Sequence, residues 1–287
     1  MNDNFDILLS ILIIGKNDNY GCDSDGKGGV KKRLELSLNK TIDNLNKLNV
    51  DDVEVVLCDW GSDDQISKNL IHDKCKNFKC VYVPKDVCLK YNKYFSISHA
   101  YNTAYKNSTG KYVIFWDSDC FVDMDSFFQL YKFVKEINTQ NIDNVFWWCS
   151  RRHIPREGYI DYSRFDEVDS YIDKNPSSIH WEKIDTSQFG GCAIALLLSR
   201  KIANESSCWY EELPNWGWQD IELHRRLITK YRCDKDLSLY GIKMYHLYHH
   251  DVDHRKEQNP RLNSNTFHAN FENWGLSGEQ LQITTLI

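Results

Sequence analysis

The sequence lacks several patterns that would each identify a common class of protein. None of its ten cysteines forms a C-x-x-C pair, which argues against a zinc ribbon or a thioredoxin-like redox site. The glycine-rich stretch at 21–29 contains no G-x-x-x-x-G-K-[ST] motif, so a P-loop is excluded. The formal net charge is −6, and without a surplus of basic residues we expect no binding of nucleic acid.

Long apolar runs are also absent. The first run, Ile7–Ile14, is too short to span a bilayer, and it follows aspartates where a signal peptide carries basic residues. Cys58 and Cys149 lie inside apolar runs, where a thiol behaves as a small hydrophobic residue. We therefore expect a cytoplasmic protein with free cysteines and no transmembrane segment. A secreted protein with disulfides is the minority alternative.

Strand-like and helix-like segments alternate through the first half of the chain. The order predicts an α/β fold with a mostly parallel central sheet flanked by helices. Ligands bind at the carboxyl ends of the strands in such sheets. The predicted strands are Ile7–Ile14, Val53–Cys58, Cys80–Val83, Val113–Trp116 and Val145–Cys149, and the predicted helices are Val30–Leu48, Asp64–Lys76, Phe95–Lys106 and Asp125–Ile137.

The second half is less regular. Residues 150–187 are polar and predict a functional loop or lid. An apolar segment then ends at Leu198, a helix is predicted at Gln219–Lys230, and a strand at Ile242–Tyr248. We expect one domain over 1–262, with a nucleotide-binding half at 5–120, an acceptor and catalytic half at 121–262, and a tail at 263–287.

Acidic residues follow the most apolar predicted strand. Asp117 and Asp119 stand one residue apart at its end, where burying two carboxylates is costly without a cation or hydrogen-bond donors. The alternative is a strand-end turn whose aspartates cap the next helix. Two further polar clusters come later, Asp220 with Glu222 and His246 with His249.

Two carboxylates and a histidine suit Mn²⁺ or Mg²⁺. A separate carboxylate at a helix start, Asp220, is placed to take a proton, or serves only as a favourable charge at the helix N-terminus. Other candidate site residues also have a purely structural explanation as the alternative. Trp216 and Trp218 could be core residues, and Arg151 with Arg152 could be a solvated pair.

Four motifs in this order resemble the GT-A glycosyltransferases, over roughly residues 7 to 260. Residues 110–119, GKYVIFWDSD, resemble the segment G-x-Y-hydrophobic-D-x-D of that fold. Residues 215–223, NWGWQDIEL, resemble the segment G-W-G-x-E-D-x-D-L of β-1,4-galactosyltransferases and many family-2 enzymes. Gly190-Gly191 resembles the small-residue segment beside the donor sugar, and residues 244–249, MYHLYH, resemble the strand that brings a metal-binding histidine.

The resemblance implies a Rossmann-like GT-A fold and assigns roles by position. Asp59 matches the uracil-contacting acid, Asp117 a carboxylate that contacts the ribose or metal, and Asp119 the direct metal ligand. His246 is the expected metal-binding histidine, with His249 as the alternative. Asp220 matches the catalytic base that deprotonates the acceptor hydroxyl. The predicted donor-binding set is Lys16, Asn17, Asp59, Asn102, Asp117, Ser118, Gly190 and Gly191.

The predicted acceptor-binding residues are Arg152, Trp216, Trp218 and Glu222. Two departures leave the acceptor open. Gln219 replaces the acid that usually precedes the base, and Trp218 stands where the galactosyltransferases have glycine. The bulk of Trp218 could narrow the acceptor site or stack on a sugar face.

The expected function is metal-dependent, inverting transfer of a hexose or N-acetylhexosamine from a UDP-sugar to a hydroxyl of a glycan or other acceptor. The cation, Mn²⁺ or Mg²⁺, would neutralise the leaving diphosphate. A retaining transferase and a non-catalytic module that binds sugar nucleotides or glycans remain alternatives. A metal hydrolase is less favoured because the sequence shows no second carboxylate-rich cluster.

Overall fold

The computed structural model describes residues 5–17, 30–66, 76–91, 95–155, 165–182, 195–213, 217–233, 236–247, 274–276, 278 and 281–286. The strands are β1 (Leu9–Gly15), β2 (Val53–Trp60), β3 (Phe78–Val83), β4 (Tyr112–Trp116), β5 (Cys120–Val122), β6 (Val145–Trp148), β7 (Arg151–Ile154), β8 (His180–Glu182), β9 (Ala195–Ser199), β10 (Arg232–Cys233), β11 (Met244–Leu247) and β12 (Gln282–Leu286). The α-helices are α1 (Val30–Leu48), α2 (Lys85–Cys88), α3 (Ile97–Lys106), α4 (Met124–Thr139), α5 (Phe165–Lys174), α6 (Arg200–Ser206) and α7 (Gln219–Ile228). Short 3-10 helices occupy Pro176–Ser178 and Leu237–Tyr240.

The central sheet has eight strands in the order β10-β6-β9-β4-β1-β2-β3-β12. The pairs β4–β1, β1–β2, β2–β3 and β6–β10 are parallel, whereas β9 runs antiparallel to both β4 and β6. Every residue of β1, β2 and β4 is buried. This near-continuous burial requires helices on both faces, and it confirms the predicted α/β class with a mostly parallel sheet.

The strands alternate their side chains between two hydrophobic cores. Residues such as Ile11 and Ile114 pack with α1 and α4 on one face. Their neighbours Leu12 and Val113 pack with α3, α6 and α7 on the other face. The α1 helix contributes a stripe at helical spacing, Leu34, Leu38, Ile42 and Leu45. Each face of the sheet is thereby sealed from water.

A smaller sheet of four strands, in the order β5-β11-β7-β8, adjoins the carboxyl ends of β4 and β6. The β5 strand begins four residues after β4 ends, and β7 begins three residues after β6 ends. Part of the polar stretch at 150–187, predicted to be a loop or lid, therefore forms β7, α5 and β8. The prediction was wrong for those parts because the strands are short and carry polar residues on one side.

The end of the chain also belongs to the fold. The predicted tail at 263–287 contains β12, which pairs antiparallel with β3 from Gln282–Tyr82 to Leu286–Phe78. Trp274 is buried and stacks on Tyr105 of α3. The boundary at residue 262 therefore does not separate these residues from the domain. Within the described part of the chain, no helix has both the length and the apolar character needed to cross a membrane.

Candidate active site

The residues 117–119 form the turn that joins the two sheets. They follow β4 and precede β5, and the backbone N–H of Cys120 donates to the carbonyl of Asp117 at 3.1 Å. The N–H of Leu247 in β11 donates to the carbonyl of Asp119 at 2.9 Å. The turn is thus fixed from both sheets, at the carboxyl edge where the sequence predicted a ligand site.

The carboxyl group of Asp117 is removed from water and lies near other negative charges. Burial raises its pKa well above the usual range, and the negative charges of Asp119 and Asp220 raise it further. Two groups oppose the shift, namely the phenol of Tyr101, which donates to Oδ1 of Asp117 at 2.8 Å, and the guanidinium of Arg151. The first turn of α7 and the end of β4 are therefore electrostatic neighbours.

The side chain of Asp119 lies beside His246. Its Oδ2 is 3.6 Å from Nε2 of His246, whose strand pairs with β5 in a register that sets His246 opposite Cys120. Only 8% of His246 is exposed. The other ring nitrogen, Nδ1, lies 3.1 Å from Nδ1 of His153 in β7.

This pair fits a divalent cation. Adjacent ligand atoms around an octahedral Mg²⁺ are about 3 Å apart, since each bond is about 2.1 Å, so a separation of 3.6 Å between Oδ2 and Nε2 needs little adjustment. Among the described residues, no group of three or more His, Cys, Asp or Glu side chains is arranged to hold a metal. Mg²⁺ is usually held by one or two carboxylates together with substrate phosphates, which agrees with a pair of protein ligands.

Asp59 is the penultimate residue of β2 and pairs with Gly15, the glycine that ends β1. Its side chain is fully buried, and both oxygens accept backbone N–H groups, from Ser62 at 3.3 Å and from Ile66 at 2.9 Å. Burial raises the pKa of Asp59, and these hydrogen bonds oppose the shift. Asp59 therefore organises the turn after β2, and contact with a nucleotide base stays a prediction.

Lys16 and Asn17 lie against the same turn. The N–H of Asn17 donates to Oγ of Ser62 at 2.9 Å, and its side-chain amide donates to the carbonyl of Asp64. The pKa of Asp63 is lowered mainly by its hydrogen bond and ion pair with Lys85, and the positive charge of Lys16 adds to this effect. The ends of β1 and β2 thus lie together, and donor binding by Lys16 and Asn17 stays a prediction.

Two residues in left-handed backbone conformation come directly before the helix that carries Asp220. Gly217 has φ +87° and Trp218 has φ +74°. Glycine adopts this conformation at little cost, but a bulky side chain there stores roughly 1–3 kcal/mol of strain. Strain of this kind clusters at functional sites, and here it lies directly before the helical turn that carries Asp220.

Glu222 lies on the buried side of α7. It is 1% exposed, and its two oxygens accept from Nε and Nη2 of Arg226, each at 2.7 Å. Arg226 also donates to the carbonyls of Ser206 and Cys208. An acceptor would reach this carboxylate only if the pair opened, so the predicted acceptor contact gains no support from the geometry.

The two arginines of β7 point to opposite faces of the small sheet. The charge of Arg151 partly offsets the rise in the pKa of Asp117, and Arg151 shares its face of the strand with His153, two residues further on. The Arg152 guanidinium lies 5.2 Å from the ring centroid of Trp181, and its charge offsets part of the rise that burial causes in the pKa of Tyr245. The sequence selected Arg152, whereas Arg151 shares the side of the acidic residues because side chains alternate along a strand.

Both the nitrogen and the oxygen of the Asn102 side-chain amide form hydrogen bonds within the protein. Its Nδ2 donates to the carbonyl of Trp209 at 2.7 Å and to Oε1 of Glu211 at 2.9 Å, and its Oδ1 accepts from the N–H of Trp209 at 2.9 Å. The neighbouring Tyr101 stacks on Trp209 at 4.8 Å. These contacts hold the segment before α7 against α3, and a donor contact by Asn102 stays untested.

Four predicted site residues lie outside the described residues, namely Gly190, Gly191, Trp216 and His249. Ser118 is half-buried between the two aspartates.

Three residues of this region did not enter the predicted set, namely Tyr101, Arg151 and His153. The alternation of β7 was the available signal for the last two. Nothing local marked Tyr101, because its contact with Asp117 joins a helix to a strand end.

Comparison with known proteins agrees with this architecture. The model of glycosyl transferase family 2 matches residues 30–204, which is more than half of the chain. No curated protein matches. The solved structure of TarS 1–349 from S. aureus has a TM-score of 0.52 at 15% identity, over 84% of this chain and 60% of the TarS 1–349 chain.

Two further structures carry ligands. TarS 1–349 in complex with UDP-GlcNAc has a TM-score of 0.52 at 14% identity, over 88% of this chain and 61% of the other. GalNAc-T7 with UDP, GalNAc and Mn²⁺ has a TM-score of 0.53 at 12% identity, over 86% of this chain and 45% of the other. The chain spans less than two thirds of each neighbour, and at these identities the likeness concerns the fold. It confirms the predicted GT-A fold.

Proposed function

Because the chain belongs to glycosyl transferase family 2, we propose that it is a metal-dependent inverting glycosyltransferase. It transfers a hexose or N-acetylhexosamine from a UDP-sugar to a hydroxyl of a glycan or other acceptor. The UDP-sugar and Mn²⁺ bound in TarS and GalNAc-T7 support the choice of donor and cation.

One observation carries the proposal. Burial and the charge of Asp119 raise the pKa of Asp117 most, and the charge of Asp220 adds to the rise, so carboxylates more than 100 residues apart in sequence act on one another. Such concentrated negative charge, partly removed from water, is unfavourable in isolation. A bound cation would offset this negative charge, and so would a proton accepted by one of the carboxylates. Both events belong to the proposed reaction.

Asp220 acts as the general base. It takes the proton of the acceptor hydroxyl as the oxygen attacks the anomeric carbon from the side opposite the departing UDP. Strained backbone lies directly before the helical turn that carries this carboxylate, and the Glu222–Arg226 pair anchors the helix from behind.

Asp119 and His246 hold the cation. When bound, it neutralises the charge that develops on the diphosphate. Asp117 remains oriented by the phenol of Tyr101, and Arg151 offsets part of the local negative charge. Further along the carboxyl edge of the central sheet, after β2, Asp59 stabilises the turn on which the nucleotide base rests.

Replacing the base tests the catalytic assignment. Asp220→Asn should lower kcat by about 10²–10⁴-fold and leave the affinity for UDP within twofold, since only the proton acceptor is lost. The matched control is Asp125→Asn, an exposed carboxylate in the first turn of α4. Turnover of Asp220→Asn equal to that of the control would refute the assigned base.

Removing the metal ligand tests the cation. Asp119→Ala should abolish the dependence of UDP binding on Mn²⁺, measured by titration calorimetry with and without the ion. UDP binding by the parent protein that is equally tight without metal would contradict the metal role. Proton NMR of the first product then reports the anomeric configuration, and a retained configuration would exclude the inverting reaction.

A further inference from the structure

His153 contacts the proposed metal-binding histidine from the next strand. The parallel register of β7 and β11 pairs His153 with His246. Their Nδ1 atoms are 3.1 Å apart, and the rings meet edge to face at 4.9 Å and 79°. On its other side His153 faces the ring of His180 in β8, at 6.1 Å and 26°.

The short distance between the Nδ1 atoms restricts the tautomers of both rings. Only one hydrogen can lie between these nitrogens, so one ring donates and the other accepts. If His246 donates from Nδ1, its Nε2 carries a lone pair and faces Asp119 at 3.6 Å. In the reverse arrangement a neutral His246 carries a hydrogen on Nε2, which excludes a cation from that position.

We infer that His153 is a positioning residue whose Nδ1 accepts the Nδ1–H of His246 and so keeps Nε2 of His246 open for the cation. This inference rests on the proposed function, because it needs the cation at Asp119 and His246. A partner that fixes the tautomer and orientation of a metal-binding histidine typically contributes 10–100-fold to metal affinity. His153 touches neither substrate nor cation in this role.

Calorimetric titration of Mn²⁺ in the presence of UDP tests the inference in variants of the full chain. His153→Phe keeps a planar ring but removes the acceptor, and it should weaken Mn²⁺ binding by about 10–100-fold. His153→Asn places a carbonyl oxygen near the former Nδ1 and should restore most of the affinity. His180→Phe, one strand further away, is the control and should stay within twofold of the parent.

The same titration separates the failure of this inference from the failure of the proposed function. If Asp119→Ala loses Mn²⁺ binding while His153→Phe binds like the parent, the positioning role is refuted and the metal site stands. If the parent shows no Mn²⁺ binding at all, the metal site and the role of His153 both fail.

A spectroscopic measurement needs no variant. Long-range ¹H–¹⁵N correlation spectra of the parent protein without added metal assign the tautomer of each histidine before any cation can impose it. Protonation of His246 at Nδ1 supports the inference, and protonation at Nε2 overturns it. This readout also decides the matter if His153→Phe does not fold.

Discussion

The buried ion pair inside α7 offers a sharp test of how this site is supported. Glu222 is 1% and Arg226 is 12% exposed at the side chain, and two hydrogen bonds of 2.7 Å join them. Glu222→Ala leaves the guanidinium with its backbone carbonyl partners but without its anion. Breaking a buried pair in this way costs about 3–5 kcal/mol, a large part of the 5–15 kcal/mol typical of a whole protein.

The loss should be visible as reduced stability. For a chain of this size, about 3–5 kcal/mol corresponds to a fall in Tm of roughly 10 °C, measured by circular dichroism. Lys201→Ala, which breaks the exposed pair of Lys201 and Asp143 at 3.1 Å, should change the free energy of unfolding by less than about 1 kcal/mol. Removing both charged groups with Glu222→Leu and Arg226→Met should recover part of the loss, since neither charge is then left alone.

A further variant, Glu222→Gln, separates an anchoring role from an acceptor contact. If Glu222 anchors α7, the folded fraction of Glu222→Gln should keep the parent's KM for the acceptor. Parent-like stability combined with a strongly raised acceptor KM would refute the reasoning, because it would mean that the carboxylate meets the acceptor.

Three further outcomes are expected. Gly110→Ala should lose about 1–3 kcal/mol in denaturant unfolding, because its Cβ would lie 2.5 Å from Oγ and 2.7 Å from N of Ser10. Burial lowers the pKa of His99 to about 4, below its ordinary 6.5, so parent stability should fall as pH drops through that window, and His99→Gln should flatten the slope. Deleting residues 282–287 uncovers the edge of β3 and should increase aggregation in light scattering.

Much of the central fold could be predicted from the sequence, because long patterns of apolar residues dominate the local structure of its strands and helices. Helix α1 has the predicted limits, Val30–Leu48, and the predicted strands overlap β1, β2, β3, β4 and β6. The small sheet could not be predicted from the sequence in the same way. Its strands have three or four residues, so their pattern is too short to separate from a polar loop, and β11 was expected without its partners.

Chemistry-bearing residues were recognised where they interrupt or end apolar segments. Asp117, Asp119 and Asp220 could be selected in this way, and the structure brings their charges into one environment. Glu222 and Arg152 could not be judged from sequence. Whether a charge on a helix or strand faces a ligand or an internal partner depends on which neighbouring element covers it.

The sequence by itself determined the α/β class, the strand-end location of the acids and the candidate base, because these follow from local hydrophobic period and chain order. Only the tertiary structure decided that His153 meets His246, that Tyr101 holds Asp117 and that Arg226 neutralises Glu222. The first two pairs join residues from different strands or helices. In the third, sequence spacing allows contact, but burial decides its strength.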